Sequence, residues 1–226
     1  MGEESYQKSI NKWINALTTE EKAEFKSIHL DGLFCLKQIR VDYNFLRAAC
    51  GFWDPQQHVF CFGKNEICPM PDEFSAILGF PTATHPAVPR LSTSFVTSYE
   101  RLLGLTSVEA KDMVDGRAVN MLKIVQKFRD PVTNLTEKRH RRRALCLCLL
   151  NLFLFVDGGG DMGDASLIHV VEQIDADCSP VPMILVETLT CVDLVRADAN
   201  QCFFGSPVLL QVCFYCYFSI RFFSNA

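Results

Sequence analysis

Four side chains able to do chemistry crowd one short stretch, FWDPQQHVFCFG at residues 52–63: Trp53, Asp54, His58 and Cys61. A carboxylate, an imidazole and a thiol this close suggest acid–base work beside a nucleophile, or part of a zinc site. Either chemistry needs the groups to converge. The aromatic and β-branched run HVFCF (58–62) reads as a strand, and GKN (63–65) as a turn. On a strand, residues three apart point to opposite faces. His58 and Cys61 are therefore poor partners for one metal or one dyad. A structural zinc site also wants four ligands, often as two pairs. Here Cys68 follows at an irregular spacing, and Cys213 with Cys216 is a lone pair inside an apolar run. The five histidines, His29, His58, His85, His140 and His169, meet no cysteine at a spacing that selects a catalytic pair. GGGDMG (158–163) lacks the lysine of a phosphate loop and the preceding strand of a dinucleotide fingerprint, and reads as a helix end. No lysine stands in a phosphate-cradling context for a cofactor such as pyridoxal phosphate. No metal, cofactor or small-molecule substrate is expected. Trp53 is expected to anchor a core and Asp54-Pro55 to shape a turn. The alternative reading is an enzyme with a pocket around Trp53, Asp54 and His58.

The strongest local charge is KRHRRR at residues 138–143. Lys138, Arg139, Arg141, Arg142 and Arg143 are candidates for contact with nucleic-acid phosphates, without sequence readout. The same run would also serve as a nuclear import signal. The competing reading is a solvated helix start ahead of a buried segment. Basic residues are disfavoured at a helix N-terminus, so the helix is expected to begin near Asn134 or Thr136, with the run on its exposed first turns. The formal net charge of −4 argues against a chain that coats nucleic acid with its whole surface.

The elements that hold these groups read as helices for most of the 226 residues. Hydrophobic residues make up 49% and charged residues 21%, enough to bury a sizeable core. Thr18 with Glu21 and Thr106 with Glu109 are capping boxes. Asp42 is placed to cap a helix that Gly51 would stop in a left-handed turn. ALCLCLLNLFLFV (144–156) is apolar on all sides yet too short for a bilayer, so it belongs mid-core. Asp164 or Ser166 starts a further helix, and Pro182 fits the first turn of the next. The eleven cysteines are odd in number and several lie in apolar runs, which fits a reducing compartment. Residues 202–220 carry no charge and have the length of a membrane span, but Gly205, Pro207 and Gln211 interrupt them. The expected fold is mainly α: a single compact multi-helix domain over residues 1–212, with one small β-hairpin near residues 58–68. Residues 213–226 form an atypical hydrophobic tail.

The order FWDP (52–55), HVF (58–60), FG (62–63), EICP (66–69), DEF (72–74) and ILGFP (77–81) resembles the plant mobile domain family, in its retrotransposon-associated branch. LFLF (152–155), IHVV (168–171), ILVETL (184–189) and GSPVLLQV (205–212) fit the family's second half. The resemblance marks Trp53, Asp54, Pro55, Phe60, Gly63, Pro69, Glu73, Phe74 and Gly79 as a structural signature. It implies a transposon-derived, non-enzymatic module that is intracellular and nuclear and binds protein, nucleic acid or chromatin. The family also carries the label "aminotransferase-like", which no residue here supports. Met70 stands where the family has a threonine, so a helix cap is lost. After Val212 the family continues with a tryptophan and an amphipathic helix, whereas this chain turns to CFYCYF (213–218). That departure reads as a truncated or mis-spliced gene. Tethering to a membrane through residues 202–220 is the alternative.

Overall fold

Apolar residues at helical spacing, opened by capping groups, build most of the molecule. The structure is a computed structural model that describes residues 5–81, 85–90, 94–156 and 160–223, with side chains to residue 219. Helix α1 (Tyr6–Asn15) is followed by α2 (Thr19–Ser27). The Thr18 hydroxyl accepts the Glu21 N–H, and the Glu21 carboxylate accepts the Thr18 N–H at 2.9 Å. After the single turn α3 (Leu33–Leu36), Asp42 accepts the N–H groups of Asn44 and Phe45 and starts α4 (Tyr43–Cys50). Gly51 closes α4 at φ −60°, in the right-handed region and not the left-handed turn expected there.

Strands β1 (Trp53–Asp54), β2 (Val59–Phe62) and β3 (Asn65–Ile67) form an antiparallel meander. The β2–β3 pair is the expected hairpin, in register Phe60 to Ile67, and Trp53 of β1 lies opposite Phe60 on the other side. Gly63 takes φ 66° in the two-residue turn, where a Cβ would be strained. Pro71 opens α5 (Pro71–Leu78), whose Glu73 accepts the Met70 N–H at 2.9 Å; Met70 makes no cap bond in return. Gly79 stops the helix at φ 84°.

The middle of the chain departs from expectation. The two-residue β4 (His85–Pro86) precedes α6 (Val96–Leu103) and α7 (Ser107–Met113), the latter opened by the second capping box, Thr106 with Glu109. Residues 118–120 form β6 (Ala118–Asn120) between β5 (Val114–Asp115) and β7 (Met162–Asp164). Helix α8 (Met121–Phe128) starts only after β6. β4 pairs in parallel with β8 (Cys178–Ser179). Two further small sheets thus stand beside the one that contains the expected hairpin. Such short strands are defined by distant partners, which local composition does not report.

Helix α9 (Leu135–Leu149) starts where the charge argument places it: Asn134 caps it, accepting the Thr136 N–H at 2.8 Å. Residues 144–150 are buried on every side, and a π-helical turn (Leu150–Leu154) extends the helix. α10 (Leu167–Ile174), α11 (Val181–Ala197) with Pro182 in its first turn, and α12 (Pro207–Phe223) complete a mainly α fold with a few short strands.

Two buried clusters organise these elements. The larger gathers α1 to α3 with α5 to α10, and the smaller joins α4 to the β1–β3 meander. α11 and α12 contribute to both. Val212 marks no break in α12, because Cys213 and Phe214 beyond it are buried. Among the described residues no helix is long and apolar enough to cross a membrane. Residues 224–226 of the expected tail, and Gly158 and Gly159 of the glycine-rich run, lie outside the described residues.

Candidate anion-binding surface

The basic run divides on folding. α9 is solvated only in its first turns, because residues 144–150 plunge into the core. Lys138 and Arg139 face solvent. Arg141 does not: its side chain is 5% exposed, it pairs with Glu21, and it donates to the Arg129 carbonyl at 3.0 Å. Its guanidinium lies over the Trp13 ring, 5.4 Å from the centroid. The carboxylate that completes the α2 capping box thus also neutralises an arginine of α9. Arg143 turns inward too, donating to the Leu102 carbonyl at 3.1 Å. The expectation that the whole run lies exposed is corrected for Arg141 and Arg143, and largely for Arg142. The helix that carries them must be covered on all sides one turn later.

Asp175, at the C-terminal end of α10, gathers this half of the surface. It accepts Arg142 Nη2 at 2.8 Å and Arg143 Nε at 2.7 Å, with Arg139 Nη2 at 3.9 Å. One turn earlier on α10, Glu172 accepts Arg101 Nη1 of α6 at 2.6 Å and Arg90 Nη1 at 3.4 Å. The Arg101 hydrogen bond holds the Glu172 carboxyl below its ordinary value. Five guanidiniums therefore meet two carboxylates across α6, α9, α10 and the loop before α6. Glu100, half-buried beside Arg101, and the exposed Glu137 are the carboxylates nearest these guanidiniums in the chain, and the exposed Asp177 follows Asp175. The outward members are Arg90 and Arg101, both 56% exposed, Arg139, 60% exposed, and Lys138. Fixed guanidiniums with spare donors suit phosphate oxygens. His140 sits behind this layer; burial first, then Arg143 and Arg139, lowers its pKa.

Arg90 and Arg101 are not singled out by the sequence reading. A weak signal for them exists: Glu172 and Asp175 lie three residues apart on an otherwise apolar helix, so both need cations. Nothing local says which cations come.

The stretch at residues 52–63 is spent on architecture. Trp53 is buried, donates from Nε1 to Asp193 Oδ1 at 2.6 Å, and packs 4.6 Å from the Phe60 ring. Asp54 Oδ1 accepts the N–H groups of Gln56 and Gln57 at 2.8 and 3.2 Å, fixing the turn that contains Pro55. His58 is exposed, in that turn at φ 54°, and not in the strand expected for it. Phe60 and Phe74 are fully buried, and Pro69 is buried between β3 and α5. Burial pushes the Cys50 and Cys213 thiols up to about 12, so neither is a ready nucleophile. Among the described residues, no group of three or more His, Cys, Asp or Glu is arranged to hold a metal ion.

A cleft of about 580 Å³ opens elsewhere, between α10, α11 and the chain at 155–156 and 204–205. Its floor is apolar and its rim carries Arg90, Arg117, Asp164 and Glu187. None of Trp53, Asp54 and His58 lines it. Comparison with protein-family models, with characterised proteins and with solved structures finds no match to this chain.

Proposed function

We propose that this chain is a non-enzymatic interaction module that meets nucleic acid through the guanidinium surface on α6, α9 and α10. The observation that carries the reading is the excess of five guanidiniums over two carboxylates, with Arg90, Arg101 and Arg139 facing outward. Phosphates are the complementary ligand, and no base-reading element is needed for contact of this kind. The resemblance to the plant mobile domain family supports a transposon-derived, nuclear, chromatin-associated setting. The spending of Trp53 and Asp54 on packing and a turn favours a module over an enzyme at that stretch.

The test is binding of duplex DNA and single-stranded RNA across a salt series, comparing the wild type with a Lys138→Ala, Arg101→Ala, Arg139→Ala triple variant. On duplex DNA each lost phosphate contact should flatten the slope of log affinity against log salt by about 0.9. An unchanged slope, or no salt-sensitive binding by the wild type, overturns the reading. Arg141 and Arg143 are unsuited to this test, because their replacement disturbs the fold.

A further inference from the structure

The cleft between α10 and α11 is built for a different kind of partner. We propose that it docks a short segment of another protein whose apolar side chains are accompanied by a basic and an acidic residue. Phe95, Phe155, Leu167, Val170, Met183 and Phe204 form the apolar floor. A volume of about 580 Å³ lies within the range of sites that bury a few side chains or a small ligand.

The walls hold the cleft open. Ser206, fully buried, donates from Oγ to the Phe153 carbonyl at 2.7 Å, and its N–H donates to Thr188 Oγ1 at 2.9 Å. The Val156 N–H donates to the Gly205 carbonyl at 2.8 Å. Gly205 sits at φ 71°, and a Cβ there would stand 2.7 Å from the Thr188 nitrogen. Only glycine lets the chain at 204–205 lie this close to α11. The site is therefore fixed by backbone and buried hydroxyls, which suits recognition without large rearrangement.

The rim decides the partner's charge. Glu187 is exposed on α11 and has no ion pair among the described residues. Arg90 shares Glu172 with Arg101, which holds the closer position at 2.6 Å against 3.4 Å. Arg117 is 79% exposed and donates to Asp164 from Nη2 alone, at 3.4 Å. Among the described residues the rim thus offers one carboxylate without an ion pair and two guanidiniums with donors to spare. A basic residue complements the first and an acidic residue the second. Nucleic acid fits badly here, because phosphates would face Glu187 and an apolar floor. This proposal does not depend on DNA or RNA binding: Arg90 is shared with the guanidinium surface, but Glu187 and Arg117, which carry the test, do not belong to it.

The experiment is selection from a phage-displayed library of random peptides, about twelve residues long, on the intact chain. Selected peptides should share apolar residues together with one basic and one acidic residue, and a synthetic copy should bind saturably. Glu187→Lys, at an exposed position, should weaken that peptide at least about tenfold, with the melting curve unchanged. Repeating the selection on Glu187→Lys should replace the basic residue by an acidic one. Arg117→Glu should replace the acidic residue by a basic one. Failure to select any saturable binder overturns the proposal, as do selected peptides without the charge pattern or equal binding to wild type and Glu187→Lys. Dimerisation of the chain that Glu187→Lys abolishes, without peptide binding, also overturns it, by making a second copy the occupant.

Discussion

At the scale of single residues, the same side-chain type does opposite jobs within one helical turn. Arg139 is a solvated charge, while Arg142 and Arg143 are locked to Asp175, whose side chain is only 9% exposed. Asp175→Asn leaves two mostly buried guanidiniums without a counter-charge and should cost about 3 kcal/mol in denaturant unfolding. Arg139→Ala, at 3.9 Å from the same carboxylate, should change stability by less than about 0.5 kcal/mol. Equal effects would show that Asp175 is not the anchor. His169 supplies a pH prediction. It is buried beside Phe95; neither ring nitrogen makes a hydrogen bond among the described residues, and Nδ1 lies 3.9 Å from the Glu172 carboxylate. Burial first, with Arg90 and Arg101 adding, holds its pKa below the ordinary 6.5, although Glu172 opposes. The unfolded chain therefore binds a proton that the folded chain refuses. Stability should fall as pH drops below about 6.5, until the lower folded-state value is reached. His169→Gln should make this acid-side slope shallower without abolishing it, since His140 is lowered in the same sense. The run at residues 138–143 is legible in the sequence as a charge. Its division is not, because it depends on where Glu21, Trp13 and Asp175 arrive from α1, α2 and α10.

At the scale of elements, helix starts marked by capping residues are the best-read feature and short strands the worst. Thr18, Asp42, Thr106 and Asn134 all cap as their residue types require, since a cap is a bond between neighbours in sequence. The strands β4 to β8 depend on pairing between distant segments, and Gly51 shows that a glycine after a helix need not be left-handed. α12 is the instructive case. Its sequence beyond Val212 reads as a foreign tail, yet Phe214 is fully buried among Phe45, Phe60 and Phe62. Gln211 ties the same helix to the start of α4, accepting the Asp42 N–H at 2.6 Å and donating to the Arg40 carbonyl at 3.0 Å. Phe214→Ala should destabilise by about 3–5 kcal/mol, as emptying a packed aromatic site does. Gln211→Ala should cost about 2 kcal/mol, because it orphans a partly buried N–H and carbonyl. If calorimetry finds Phe214→Ala neutral, the residues after Val212 do not belong to the core.

At the scale of the whole molecule, the question is whether two buried clusters make two folding units or one. α11 supplies Val181, Ile184 and Leu185 to the larger cluster and Cys191, Val192 and Val195 to the smaller. α12 divides in the same way, with Val208, Leu209 and Cys213 on one side and Leu210 and Phe214 on the other. Leu189 packs against both clusters. Melting either cluster alone would strip one face or one end of two long helices, exposing apolar surface on elements that the other cluster still needs. The two clusters should therefore unfold together. The chain's two tryptophans report on one cluster each, Trp13 in the larger and Trp53 in the smaller, and both are buried. Trp13→Phe leaves a reporter in the smaller cluster, and Trp53→Phe leaves one in the larger. In each variant the fluorescence transition in urea should coincide with the loss of helical circular dichroism, as a two-state chain requires. If in either variant the fluorescence midpoint separates from the helical one, the clusters are independent units. The guanidinium surface on α6, α9 and α10 would then survive loss of the β1–β3 meander. With a single transition, a lesion at Phe214 in the smaller cluster lowers the population of the intact surface as much as one at Asp175.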